Sequence, residues 1–134
     1  MIVKCVYSKV VDLPSSLSSS MKKIPKNFSY GDPQYGEIYK VYAINFQYET
    51  SFYCIQIDGI TYPEWVPSQL FEVVDSSLSR YWVYQPTFNS EAELSNIISF
   101  ESWVMNPYFY GELLEGYETN INVFNKYKKA IDEE

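Results

Sequence analysis

Carboxylate pairs, two cysteines and three tryptophans are the side chains of this sequence with chemistry to offer. Glu91/Glu93 and Glu112/Glu115 are carboxylate pairs of the kind any acidic chain offers. Catalysis by such a pair needs one carboxyl whose pKa is raised, and nothing apolar beside them in sequence would raise it. They read as charges on a solvated helix surface. Cys5 and Cys54 lie far apart in apolar segments without zinc-ligand spacing. That placement favours buried free thiols, and the sequence leaves a bridge between them open. The chain has no histidine, which removes the commonest general base, metal ligand and triad partner together. Its five glycines are scattered and form no phosphate loop. The expectation is a protein with no catalytic site, no metal and no cofactor.

The tryptophans are Trp65, Trp82 and Trp103. Trp65 sits in TYPEWVPSQLFEVVD, between Pro63 and Pro67, where it could grip a ligand or fill a core. Large aromatics act mainly through burial, so a core or rim position is the favoured reading. Aromatic content is high and tyrosine dominates it. A tyrosine has an apolar face and a polar tip, which suits half-buried strands and contact surfaces alike.

The formal charge of −7 is unevenly spread. Residues 1–90 carry seven Lys/Arg against eight Asp/Glu, a balance of −1, and residues 91–134 carry three against nine, a balance of −6. Such a field repels nucleic-acid backbones and anionic lipid and attracts basic proteins. The N-terminal MIVKCVYSKVVDLPSS lacks the apolar core of a signal peptide, and no run of about 18 apolar residues would span a bilayer. The expectation is a cytoplasmic protein that binds neither nucleic acid nor membrane.

The elements that position these residues read as one domain over 1–134, β-rich over 1–85 and mainly helical over 86–134. MIVKCVY predicts a first strand. A long connection with a Ser cluster and Lys22, Lys23 and Lys26 follows, too long to be structureless in a compact domain. Residues 37–48 alternate as a strand long enough to need a bend or bulge. Glu49-Thr50-Ser51 predicts a turn, FYCIQI a second strand with Tyr53, Ile55 and Ile57 on one face, and Asp58-Gly59 a type I′ hairpin turn with ITY opening the return strand. Pro67 ends pairing after Trp65-Val66, Ser68-Gln69 predict a 3₁₀ turn, and LFEVV resumes as a strand. YWVYQ predicts another strand. Ile97–Phe100 fits a strand or a buried connector, and Ser90 with Glu93 has the form of a capping box. Asn106-Pro107 predicts the start of a short helix stopped by Gly116. YETNINVFNKYKKAID predicts an amphipathic helix with Ile121, Phe124 and Ile131 on its apolar stripe, flanked by Val123 and Tyr127.

EWVPSQLFEVV resembles the end of an SH3-type barrel: an aromatic-bearing strand, a proline, a 3₁₀ turn and a last strand, with Trp65, Pro67, Leu70 and Phe71 in the structural places. The implied fold is α+β, a bent antiparallel sheet or SH3-like small barrel with C-terminal helices. A wider likeness takes in YKVYAINF, FYCIQID, YPEWVPSQLFEVVDSSLSRYWVY, ISFESWVMNPYFYGELLEG and VFNKYKKAID. It resembles small bacterial immunity proteins of contact-dependent-inhibition and polymorphic toxin systems. That resemblance implies a non-catalytic inhibitor of a cognate toxin domain, often a basic nuclease. The alternative is an SH3-like peptide- or protein-binding module with Trp65 in an exposed groove. The acidic, tyrosine-rich residues of the C-terminal third are the candidate toxin contacts: Glu101, Tyr108, Tyr110, Glu112, Glu115, Tyr117 and Glu118.

Overall fold

The computed structural model describes residues 1–84 and 96–134. The fold is α+β. Its strands are β1 (Ile2–Cys5), β2 (Ile38–Gln47), β3 (Thr50–Ile55), β4 (Glu64–Pro67), β5 (Phe71–Asp75), β6 (Trp82–Tyr84) and β7 (Ile97–Phe100). Its helices are α1 (Ser15–Ser18), α2 (Glu101–Val104), α3 (Phe109–Leu114) and α4 (Glu118–Asp132). All strand pairs are antiparallel, and the main path runs β4-β3-β2-β1-β5. A 3₁₀ turn at Ser68–Leu70 joins the two end strands of that path. This is the connectivity that the SH3-type resemblance implies, carried by a sheet that stays open. A further arm, β6-β7, pairs with the second half of β2.

β2 carries the bend expected of so long a strand. Its register with β3 shifts between Val41 and Ala43, so Tyr42 is the extra residue of a bulge. The bulge changes which residues face which side. Tyr39 and Val41 before it, and Ile44 after it, belong to one core layer, while Tyr42 and Ala43 belong to the other. Cross-strand partners follow the same division: Val41 with Ile55 in one layer, Ala43 with Cys54 in the other. Tyr42 is fixed from two sides. The buried hydroxyl of Ser99 on β7 donates to its carbonyl at 3.0 Å, and its phenol donates to Asp132 of α4 at 2.7 Å. Burial and then the Asp132 carboxylate push the Tyr42 phenol far above its usual pKa, so it stays a neutral donor.

The central strands β2 and β3 are therefore covered on both faces. One layer, with Val3, Cys5, Val41, Ile55, Val66 and Leu70, is enclosed by the bent main path. The other lies under the C-terminal helices and is mostly aromatic. There Trp65 meets Trp103 edge-on at 5.8 Å, Trp103 stacks on Phe109 at 5.2 Å, and Phe100 stacks on Tyr127 at 4.2 Å. Trp65 thus faces the helices, away from the enclosed layer that Val66 and Leu70 fill. α4 packs through Phe124 and Ile131, with Ile121, Val123 and Tyr127 partly buried beside them, as its stripe predicts. Cys5 and Cys54 are free thiols on opposite faces of the sheet.

Several local expectations shift by a residue or two. The first hairpin turns at Tyr48-Glu49, both at positive φ, rather than at 49–51. At Asp58-Gly59 only Gly59 has positive φ, which excludes a type I′ turn. ITY is not a strand, and pairing with β3 resumes only at Glu64. Ile97–Phe100 is a strand, so the C-terminal third contributes to the sheet. Asn106 makes a side-chain turn, its Oδ1 accepting from Tyr108 N–H at 3.0 Å, and α3 begins after it at Phe109. Gly116, at φ 84°, closes α3 with the paired bonds of a Schellman motif, Gly116 N–H to Leu113 C=O and Tyr117 N–H to Glu112 C=O. The Ser90–Glu93 capping pair, Glu91 and the end of YWVYQ lie outside the described residues.

Trp65→Ala should cost about 3–5 kcal/mol in a urea or guanidinium titration, because the cavity it leaves is walled by rigid rings. Glu49→Gly should raise stability by about 0.5–1 kcal/mol in the same titration. Glycine relieves the left-handed backbone at Glu49, and the exposed Lys23–Glu49 ion pair it removes is worth little.

Candidate functional site

The residues singled out in the C-terminal third divide in two. Glu101, Tyr108, Glu115, Tyr117 and Glu118 are exposed. Tyr110 and Glu112 are half-buried and are also engaged within the fold. Tyr110 lies flat on Trp103, meets Trp65 edge-on, and donates its phenol to the Pro63 carbonyl at 2.9 Å. Glu112 Oε2 accepts from Asn106 Nδ2 and from Asn120 Nδ2, each at 2.9 Å, and so ties the start of α3 to α4. The physical reason is that a helix as short as α3, covering an aromatic layer, uses the flanks of its buried stripe as well as the stripe itself. Trp65, Pro67 and Leu70 are buried and Phe71 is half-buried.

Helix electrostatics sorts the carboxylates further. Glu101, Glu112 and Glu118 each lie in the first turn of a helix, where a negative charge is favoured by the dipole. Glu115 is the exception. It caps the C-terminus of α3, where a negative charge is disfavoured, and among the described residues no Lys or Arg lies in salt-bridge reach of it. The lysines of α4 do not compensate. Lys126, the first of them, is eight residues beyond Glu118, roughly 12 Å along the helix and more than a Debye length at physiological salt.

Between β4, α3 and the long connection is a cleft of about 350 Å³ that the sequence did not reveal, lined by Phe28, Ser29, Glu64, Trp65, Tyr110, Gly111 and Leu114. Three elements build it. The long connection after β1 is locally helical and then returns along β4, where Gly31 N–H donates to the Trp65 carbonyl at 3.1 Å. That approach requires glycine, since a Cβ at residue 31 would sit 2.7 Å from Glu64 Cβ and 2.9 Å from Ile57 Cδ1. The connection brings Phe28 and Ser29 to one wall. β4 supplies Glu64 and Trp65, and α3 supplies the ring of Tyr110, the bare backbone of Gly111 and the exposed Leu114.

Glu64 is the ionised group of this cleft, and its surroundings disfavour the charge. Burial holds its carboxyl above the ordinary glutamate value, and among the described residues no cation pairs with it. Its charge also raises the Cys54 thiol and the Tyr110 phenol, both already pushed up by burial. The thiol is inert on that account. The indole N–H of Trp65 has no acceptor among the described residues. A glycine inside a helix lowers its stability by about 1 kcal/mol relative to alanine, so Gly111 is a second residue there with no local structural justification. A lone glutamate in an apolar strand, and a glycine within a helical pattern, were the sequence signals for this cleft. A wider depression of about 720 Å³ lies at the β2–β3 turn, lined mainly by polar turn residues and reaching Asn96 at the edge of the described chain.

Among the described residues no group of three His, Cys, Asp or Glu side chains is placed to hold a metal ion. Among the described residues no helix is long and apolar enough to cross a membrane. The chain matches no family model, no curated protein and no solved structure.

Glu64→Gln should reveal the electrostatic state of the cleft. A carboxyl whose folded pKa is raised stabilises the fold only while protonated, and its contribution is lost as pH rises through that pKa. Melting temperatures from about pH 3 to 8 should therefore show variant and parent alike in acid and the variant higher at neutral pH. A variant that melts lower at neutral pH would show that the Glu64 charge is compensated within the fold.

Proposed function

We propose that this protein is a non-catalytic inhibitor of the immunity type, which binds a basic toxin domain inside the producing cell. One observation carries the reading. Glu64 lines an aromatic cleft where burial disfavours its charge, and among the described residues no cation pairs with it. Charges kept against local physics fit a surface whose compensation comes from a partner. Tyr108 and Tyr117, each 53 % exposed, with Met105 and Leu114, give the same region large side chains that lose little entropy on contact. The balance of −6 in the C-terminal third would steer a basic domain toward it. The other expectation, a peptide-binding module gripping through an exposed Trp65, loses its premise, since Trp65 is 5 % exposed beneath Trp103 and Tyr110.

Co-expression with the toxin domain encoded by the neighbouring reading frame should keep cells alive, and killing in the presence of this protein would end the proposal. With that domain purified, Glu115→Lys should slow association about tenfold at low salt and far less at high salt, as steering predicts. Its melting temperature should equal or exceed the parent's, because the substitution suits the helix terminus.

A further inference from the structure

The cleft at Glu64 has the chemistry of a receptor for one kind of side chain. Its lining is aromatic on three sides, with Phe28 from the long connection, Trp65 from β4 and Tyr110 from α3. Leu114 and the bare backbone of Gly111 leave room between them, and Glu64 supplies a negative charge. A carboxylate of a ligand is repelled there, and a neutral apolar group would leave Glu64 uncompensated. A cation with flat, weakly hydrated faces satisfies both features. The guanidinium of arginine stacks on aromatic rings and offers a carboxylate two parallel N–H donors. Lysine brings a compact, strongly hydrated charge that fits the flat lining less well. The exposed Ser29 and Glu115 beside Leu114 would lie at the mouth, where the partner's main chain must pass.

We propose that this cleft receives a single arginine side chain projecting from the partner protein, with Glu64 as its counter-ion, the half-buried rings of Phe28 and Tyr110 as its walls and the buried Trp65 beneath. The proposal rests on the preceding functional reading for the partner's being a basic protein, while the receptor itself is testable on this chain alone.

The probe is N-acetyl-arginine methylamide, titrated into isotope-labelled protein and followed by amide and indole proton–nitrogen resonances. Saturable shifts are expected at the Trp65 indole and at the amides of Gly111 and Leu114. The citrulline analogue, the same shape without the charge, should bind at least tenfold more weakly, and the lysine analogue should also be weaker. Glu64→Gln should weaken arginine binding at least tenfold while its thermal melt shows an intact fold. Gly111→Ala, which favours the helix and narrows the cleft, should weaken it as well. Shifts that scatter over the acidic surface without saturating would overturn the receptor, as would equal binding of citrulline or unchanged binding by Glu64→Gln. Toxin protection in cells without arginine binding would leave the inhibitor reading standing and remove the receptor. Arginine binding without protection would keep the receptor and remove that reading.

Discussion

The bulge at Tyr42 is the constraint on which the rest of the fold depends. An unbroken ten-residue strand would keep each side of β2 facing one way along its whole length. The extra residue lets Val41 and Ile44 fill the enclosed layer and puts Tyr42 and Ala43 against the helices. It also bends the strand, so that its first half pairs with β1 and its second half with β7. A bulge disturbs the ladder, and a buried carbonyl without a donor would be costly. Ser99 donates to the Tyr42 carbonyl from β7, and Asp132 of α4 accepts from its phenol. Strand, added arm and terminal helix are thus joined at one residue.

That junction lays the aromatic layer over the outer face of the sheet. Trp103 is its centre, touching Trp65, Phe100, Phe109, Tyr110 and Phe124. Once Trp65 is held there, the edge of β4 is free to meet the long connection, and Gly31 makes that meeting close. The cleft is what remains where three elements converge on one edge strand. Its position between rigid rings and a backbone-paired connection suits a preformed receptor, because little would have to be ordered on binding.

Charge follows a different logic from packing. Several carboxylates of the C-terminal third have a local reason to be where they are: first turns of helices for Glu101, Glu112 and Glu118, and a bond to Tyr42 for Asp132. Glu64 and Glu115 do not. Burial disfavours the charge of Glu64, Glu115 stands at a helix C-terminus, and among the described residues no cation pairs with either. Such residues identify a surface better than composition does, since an acidic chain offers many carboxylates and only a few sit against their surroundings.

By itself the sequence determined most strands of the main path and the helical type of α3 and α4. Period-two runs, Pro67, the 3₁₀ signal at Ser68-Gln69 and the stripe of α4 are local, and local physics is enough to place them. It also determined that residues 37–48 must bend, without saying where. Tertiary structure decided the phase change at Tyr42, because a bulge is fixed by partners on β3, β7 and α4 that are distant in sequence. It decided that Tyr110 and Glu112 are half-buried and bonded within the fold, since the flanks of a short helix are assigned by what lies beneath them. It decided the cleft too: Phe28, Glu64 and Leu114 are separated by dozens of residues and meet only because the long connection and α3 close on opposite sides of β4.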